Sequence, residues 1–175
     1  PQVMPAKPTQ ADKISEPDLQ KIAKEKLEKE IEKREEDDFE KAKKKIEQAI
    51  QDNPELKQLS KNVLVDKTPE GLRIQIVDQE GEAMFASGSA QMYDKTQKLL
   101  GLVAGVIKDM PNQVSIRGHT DGVPYRGANG YTNWELSADR ANASRIALMG
   151  GGLKGDHIAN VVGKADTDHF VKEAP

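Results

Sequence analysis

The chain has 175 residues, enough for one domain with an appendage, and its net charge of −3 gives no electrostatic argument for a nucleic acid or an anionic membrane as partner. The absence of cysteine excludes disulfides, cysteine-based zinc sites and thiol catalysis. Hydrophobic residues at 36% against 31% charged fit a modest core joined to a solvated segment.

No apolar run approaches the length of a membrane span, and none reads as a signal peptide. The chain opens at Pro1 rather than Met, so a fragment or a processed product is expected. Residues 1–15 are rich in Pro, Lys and Gln with little to bury, and read as a mobile tail. A long helical linker is predicted over 16–53. Ser15, with Asp18 three positions on, resembles a capping box, and Pro17 is tolerated in a first turn. Leu19, Ile22, Leu27, Ile31, Phe39, Ala42, Ile46, Ala49 and Ile50 recur at helical spacing, thinning around Arg34 to Asp38. The rest is Lys and Glu, with opposite charges four apart as in Glu25–Lys29 and Glu40–Lys44. Asn53-Pro54 ends the segment, because a residue before proline is pushed out of the α region. Such a helix reads as a solvated spacer whose stripe is available to a second copy.

The compact domain is expected over 54–175. Leu72, Ile74 and Ile76 alternate with Arg73 and Gln75, a half-buried strand closed by a turn at Asp78-Gln79-Glu80-Gly81. The stretch Met84 to Gln91 opens as a short strand at most. A helix follows over Tyr93 to Lys108, with Leu99, Leu100, Val103, Val106 and Ile107 inward. Pro111-Asn112 turns the chain into a strand carrying Val114 and Ile116. A Gly-rich loop from Gly118 to Tyr131 leads to a helix over Asn133 to Met149, stopped at Gly150-Gly151-Gly152. Ile158 to Val162 reads as a last strand. Strand–helix–strand–helix–strand makes this an α/β sandwich with helices packed on a small sheet.

Arg140 breaks the pattern of the second of these helices. Leu136, Ser137, Ala141, Ala143, Ser144, Ala147 and Leu148 share one arc of small and apolar side chains, while Glu135, Asp139, Asn142 and Arg145 point the other way. Arg140 projects from within the packed arc, where an unpaired charge is prohibitive. Its expected partner is Asp121, in the loop after the strand's carboxyl end, or an acidic ligand. A structural Arg140–Asp121 bridge, or an arginine snorkelling past the helix edge, is the plainer alternative. Tyr125 and Tyr131 are candidate walls, and Asn133 is placed to cap the helix or face the pocket. One carboxylate and one guanidinium near a helix amino end suit a zwitterion, with Asp121 on an ammonium and Arg140 forking a carboxylate.

Three stretches carry a resemblance: Gly118-His119-Thr120-Asp121, then Tyr131-Thr132-Asn133, then Leu136-Ser137-Ala138-Asp139-Arg140-Ala141. Together they resemble the OmpA-like peptidoglycan-binding domain, a βαβαβ sandwich. The longer run Asn133-Trp134-Glu135-Leu136-Ser137-Ala138-Asp139-Arg140-Ala141-Asn142-Ala143-Ser144-Arg145 is similar to the flagellar-stator branch of that family, the MotB subunits. Phe85 with Gly88-Ser89-Ala90 resembles the family's F-x-x-G-S-A element. The likeness covers about Leu72 to Asp166. It implies non-catalytic binding of the peptidoglycan stem peptide, with diaminopimelate gripped by Asp121 and Arg140. Thr120, Asn133 and Leu136 match the family's secondary contacts. It also implies a homodimer in the periplasm, one upstream inner-membrane helix, and a MotA-like membrane subunit completing an ion-driven stator for motility. The loop between Asp121 and Asn133 is longer than in general OmpA-like domains, and the family's closing Asn-Arg-Arg element and last strand are expected beyond Pro175.

Other constellations are weaker. His119 and Asp121, with His157, Asp166, Asp168 and His169, offer metal ligands at no compact spacing, so loop and surface histidines are expected and no metal or cofactor. A hydrolase using Asp121 and His119 lacks a nucleophile elbow, since Ser137 and Ser144 read as packing residues on the helix. Another cell-wall anchor of the same family with no part in motility, or a purely structural coiled-coil protein, is the remaining alternative.

Overall fold

The structure, a computed structural model, describes residues 15–79 and 81–167. The chain divides into two units, Pro1–Glu40 and Lys41–Pro175. Helix α1 (Glu16–Asp52) begins at the expected cap, where the Ser15 hydroxyl meets Asp18 Oδ2 at 2.7 Å and faces the Asp18 N–H at 3.4 Å. It runs unbroken through Arg34 to Asp38, because a helix needs no apolar stripe where charged pairs and good helix formers sustain it. Leu19, Ile22, Leu27 and Ile31 are each about half exposed, whereas Ala42, Ile46 and Ile50 are buried. The second unit therefore starts at Lys41, inside the helix, rather than after Pro54.

Strand β1 (Val63–Thr68) pairs antiparallel with β2 (Gly71–Ile76), from Val63 opposite Ile76 to Thr68 opposite Gly71. The expected βαβαβ order is present after the long helix, preceded by one further strand, β1, that periodicity alone does not reveal. A turn signal does mark it: Thr68-Pro69-Glu70-Gly71 separates two runs of β-formers, and the Thr68 hydroxyl bonds across the turn to the Gly71 carbonyl at 3.1 Å. Buried Asn62 then donates to the Val77 and Glu82 carbonyls, at 2.8 and 3.2 Å, holding both sides of the next turn. Of the Asp78 to Gly81 turn itself, Glu80 lies outside the described residues, as do 1–14 of the tail and 168–175.

Met84 to Gln91 is not a strand. It is a tight reversal in which Phe85 bridges Met92, the Ala86 N–H donates to the Gln91 carbonyl (2.9 Å), and the Ser89 N–H donates to the Ala86 carbonyl (3.0 Å). Helix α2 (Asp94–Ile107) buries Thr96, Leu99, Leu100, Val103, Ala104 and Ile107, the three-four spacing expected of a core-facing helix. Strand β3 (Val114–Gly118) pairs in parallel with β4 (Ile158–Gly163), and α3 (Asn133–Gly150) connects them.

Two glycines set how closely α3 lies on this pair. Gly118 and Gly163 are opposite each other in the register. A Cβ on Gly118 would stand 2.0 Å from the Ser137 carbonyl oxygen, and one on Gly163 2.6 Å from the Ala138 nitrogen. No side chain fits there, so the helix rests directly on the strand ends. The core joins Ile46 and Ile50 of α1, Leu99 and Val103 of α2, Ile116 of β3 and Ala141 and Leu148 of α3.

Candidate functional site

Helix α3 starts at a Thr132 cap, not at the Asn133 cap that the sequence allows. The Thr132 hydroxyl accepts from the Trp134 N–H (3.3 Å), and Glu135 Oε2 accepts from the Thr132 N–H (2.7 Å). The Thr132 hydroxyl and main chain, both bonded to Glu135, hold its carboxyl below the ordinary range. With the cap supplied by Thr132, the Asn133 side chain turns to the loop that carries Asp121. Its Nδ2 donates to the Val123 carbonyl at 3.0 Å and ties that loop to the first turn of the helix.

Arg140 is half-buried on α3, as its place in the packed arc requires. Its partner is not Asp121. Nε donates to the Ser89 carbonyl at 2.9 Å, Nη2 reaches the Ala86 carbonyl at 3.5 Å, and the guanidinium carbon lies 5.0 Å from the centroid of the Phe85 ring. Among the described residues no carboxylate pairs with it. Neutral carbonyls and a π face satisfy some donors but leave the full positive charge, and the remaining donors of the fork, for something else.

Asp121 sits in the exposed loop just past β3, and its Oδ1 accepts from the Val123 N–H at 3.3 Å, an Asx turn that orients the carboxylate. Thr120 before it donates its N–H to the Ala165 carbonyl at 2.9 Å, yet its hydroxyl is buried without a partner among the described residues. Ala165 has a positive φ of 49°, and its N–H is held by the buried Ser137 hydroxyl at 2.9 Å. Ser137 is thus more than the packing residue expected. It bonds the turn that supports Thr120.

The two tyrosines hold the loop from Gly118 to Tyr131 together. Their rings meet edge-to-face, with centroids 5.7 Å apart. Tyr125 lies on Gly88, whose φ is +60° and whose Cβ would stand 2.8 Å from Tyr125 Cε2. Tyr131 donates to Asp139 Oδ2 at 2.5 Å; partial burial first, then the Asp139 carboxylate, push its phenol up to about 12. The loop carrying Asp121 and the turn gripping Arg140 therefore meet at Tyr125 on Gly88. That juxtaposition is invisible in the sequence, although the spacing Phe85, Gly88, Ser89 marks the turn.

Of the remaining expected contacts, Leu136 is 3% exposed, so its side chain faces the interior of the domain rather than a ligand. His119 is exposed, and His157, expected at the surface, is half-buried with its Nδ1 enclosed. Among the described residues no three His, Asp or Glu side chains are grouped to hold a metal; Asp168 and His169 lie outside them.

The OmpA family model matches residues 84–175, more than half of the chain. The chain belongs to the OmpA family. This member is 44% identical over 131 residues to motility protein B of Escherichia coli K12, a match covering 74% of the chain and 42% of that protein. It spans less than half the length of the curated relatives it matches. Among solved structures it is similar to the cell wall anchor of the T6SS from Pseudomonas aeruginosa, at 27% identity and a TM-score of 0.52, over 62% of this chain and 73% of that one. The periplasmic domain of MotB shares the fold at 16% identity and a TM-score of 0.53, over 65% and 59% of the respective chains. Among the described residues of this OmpA-family chain, no helix is long and apolar enough to cross a membrane.

Proposed function

We propose that the domain binds peptidoglycan without catalysis and anchors a flagellar stator to the cell wall. The observation that carries this reading is Arg140: a half-buried guanidinium clamped by main-chain carbonyls and a ring, with no carboxylate among the described residues paired to it. Such a group is built for an external anion. Asp121, exposed on the loop that packs against the same turn, supplies the opposite charge. The pair suits the zwitterionic end of diaminopimelate in the stem peptide, its carboxylate on Arg140 and its ammonium on Asp121, with Thr120 and Asn133 beside them. Support comes from the relatives: one is motility protein B, another is a cell wall anchor.

In this reading the chain is the periplasmic segment of a single-pass inner-membrane protein that works with a MotA-like channel subunit. The half-exposed stripe Leu19, Ile22, Leu27 and Ile31 on α1 supports pairing of two copies. Each stem peptide, held through few contacts, binds at roughly micromolar to millimolar affinity, and two domains per dimer raise the retention through effective concentration.

The test is sedimentation with purified peptidoglycan sacculi, comparing the wild type with Asp121→Ala, Arg140→Ala and Arg145→Ala. Arg145 bonds Asn142 and Met149 of its own helix and serves as control. Loss in the first two variants, with circular dichroism unchanged and the control still binding, supports the reading. Equal binding by all four proteins removes it.

A further inference from the structure

We infer that the turn from Phe85 to Ser89 is a positioning element that sets both halves of the ligand site before any ligand arrives. The inference rests on the binding role proposed for Asp121 and Arg140. It assigns to Phe85, Gly88 and Ser89 the placing of those two groups, not contact with the ligand.

The turn is fixed by its own bonds. The Phe85–Met92 bridge, the Ala86 N–H to the Gln91 carbonyl, the Ser89 N–H to the Ala86 carbonyl and the Gln91 N–H to the Ser89 hydroxyl (2.9 Å) close it on every side. Phe85 is half-buried and directly follows buried Met84, whose carbonyl is held by the Thr96 hydroxyl of α2 at 2.7 Å. A rigid turn tied to a core helix is a fixed reference point.

Two side chains are placed against it. Arginine has many rotamers, and its ordering is a cost that binding must otherwise meet. Here the Ser89 carbonyl takes Nε and the Phe85 face underlies the guanidinium. Both partners are uncharged, so they orient Arg140 without neutralising it; a carboxylate in their place would compete with the ligand. On the other side, Tyr125 rests on Gly88, and Tyr125 belongs to the loop that begins with Asp121. Gly88 is required twice over, for its φ of +60° and for the 2.8 Å space the tyrosine ring fills. One turn thereby fixes the relation between a residue on α3 and a residue past β3.

The test combines binding to titrated sacculi with side-chain NMR of Arg140. Phe85→Leu keeps apolar volume and removes the π face; it weakens binding about tenfold, while Phe85→Tyr, which restores the face, stays within about twofold of wild type. Gly88→Ala weakens binding in the wild-type background and by a smaller factor in a Tyr125→Ala background, which removes the clash with the ring and leaves the strain of a side chain at φ +60°. In the wild type without ligand, the Arg140 δ protons show an upfield ring-current shift that Phe85→Leu abolishes. If Arg140→Ala still binds like the wild type, the proposed binding role fails. If Arg140→Ala loses binding and Phe85→Leu does not, the role stands and the positioning inference is overturned. Should Phe85→Leu not fold, the wild-type spectrum decides alone: δ protons at ordinary shifts overturn the inference.

Discussion

Replacing Thr120 by Val separates stability from binding, because the two are expected to move in opposite directions. The Thr120 hydroxyl is enclosed with no hydrogen-bond partner among the described residues, while its N–H keeps its bond to the Ala165 carbonyl at 2.9 Å. Valine retains the β-branch and the shape, so the backbone bond survives and only the unsatisfied oxygen is lost. An unpaired buried hydroxyl costs about 1–3 kcal/mol. Taking the lower part of that range, Thr120→Val stabilises the domain by about 1–2 kcal/mol. For a domain of this size that is a rise in melting temperature of about 4 °C per kcal/mol. Urea unfolding followed by circular dichroism measures the first quantity and a thermal scan the second. Sedimentation with sacculi should meanwhile show weaker binding, since rotation of the Thr120 side chain on binding brings its hydroxyl to a ligand beside Asp121 and a methyl has no donor to offer. Stability given up at a binding position is the expected pattern. A variant less stable than the wild type would refute the reasoning, because it would show that the hydroxyl already has a partner in the free protein.

Three further outcomes follow from the same packing. Gly118→Ala places a methyl 2.0 Å from the Ser137 carbonyl oxygen, far inside contact distance, and should cost about 3 kcal/mol or more, read as loss of a cooperative urea transition or of soluble protein. Ser137→Ala strips the buried Ala165 N–H of its acceptor and should destabilise by about 1–3 kcal/mol in the same assay, without adding bulk. Tyr131, raised from 10.0 to about 12, is kept neutral by the fold; its contribution to stability is full below pH 10 and is lost as pH rises towards about 12. Phenolate absorbance checks this, and Asp139→Asn should lower the midpoint only part of the way, because partial burial is the larger cause.

Periodicity carries most of the fold. The long helix from its Ser15–Asp18 cap to Asn53-Pro54, the inward face of α2, the strand at Val114 and the helix of Arg140 are all legible, because each rests on spacing and capping within one segment. Strand β1 is not legible in the same way, although its turn chemistry is present. Its pairing with β2 is settled between segments, and Val63 to Thr68 alone shows a short apolar run with no clear period. The start of α3 at Asn133 is legible, whereas the sequence leaves Asn133 open between capping the helix and facing the pocket, and only the Thr132–Glu135 contacts show that Thr132 is the cap.

At the site, the sequence by itself determined that a guanidinium would lie inside a packed helical arc and that a carboxylate would follow the strand before it. Those are statements about residue type and helical phase. What the guanidinium touches was decided by tertiary structure alone. Its Ser89 acceptor lies 51 positions earlier in the chain, and a main-chain carbonyl, which every residue carries, leaves no mark in a sequence. The same holds for Ser137 beneath Ala165 and for Tyr125 on Gly88. Side-chain identity fixes what a residue is able to bond, and the packing of α3 against the ends of β3 and β4 fixes what comes within reach.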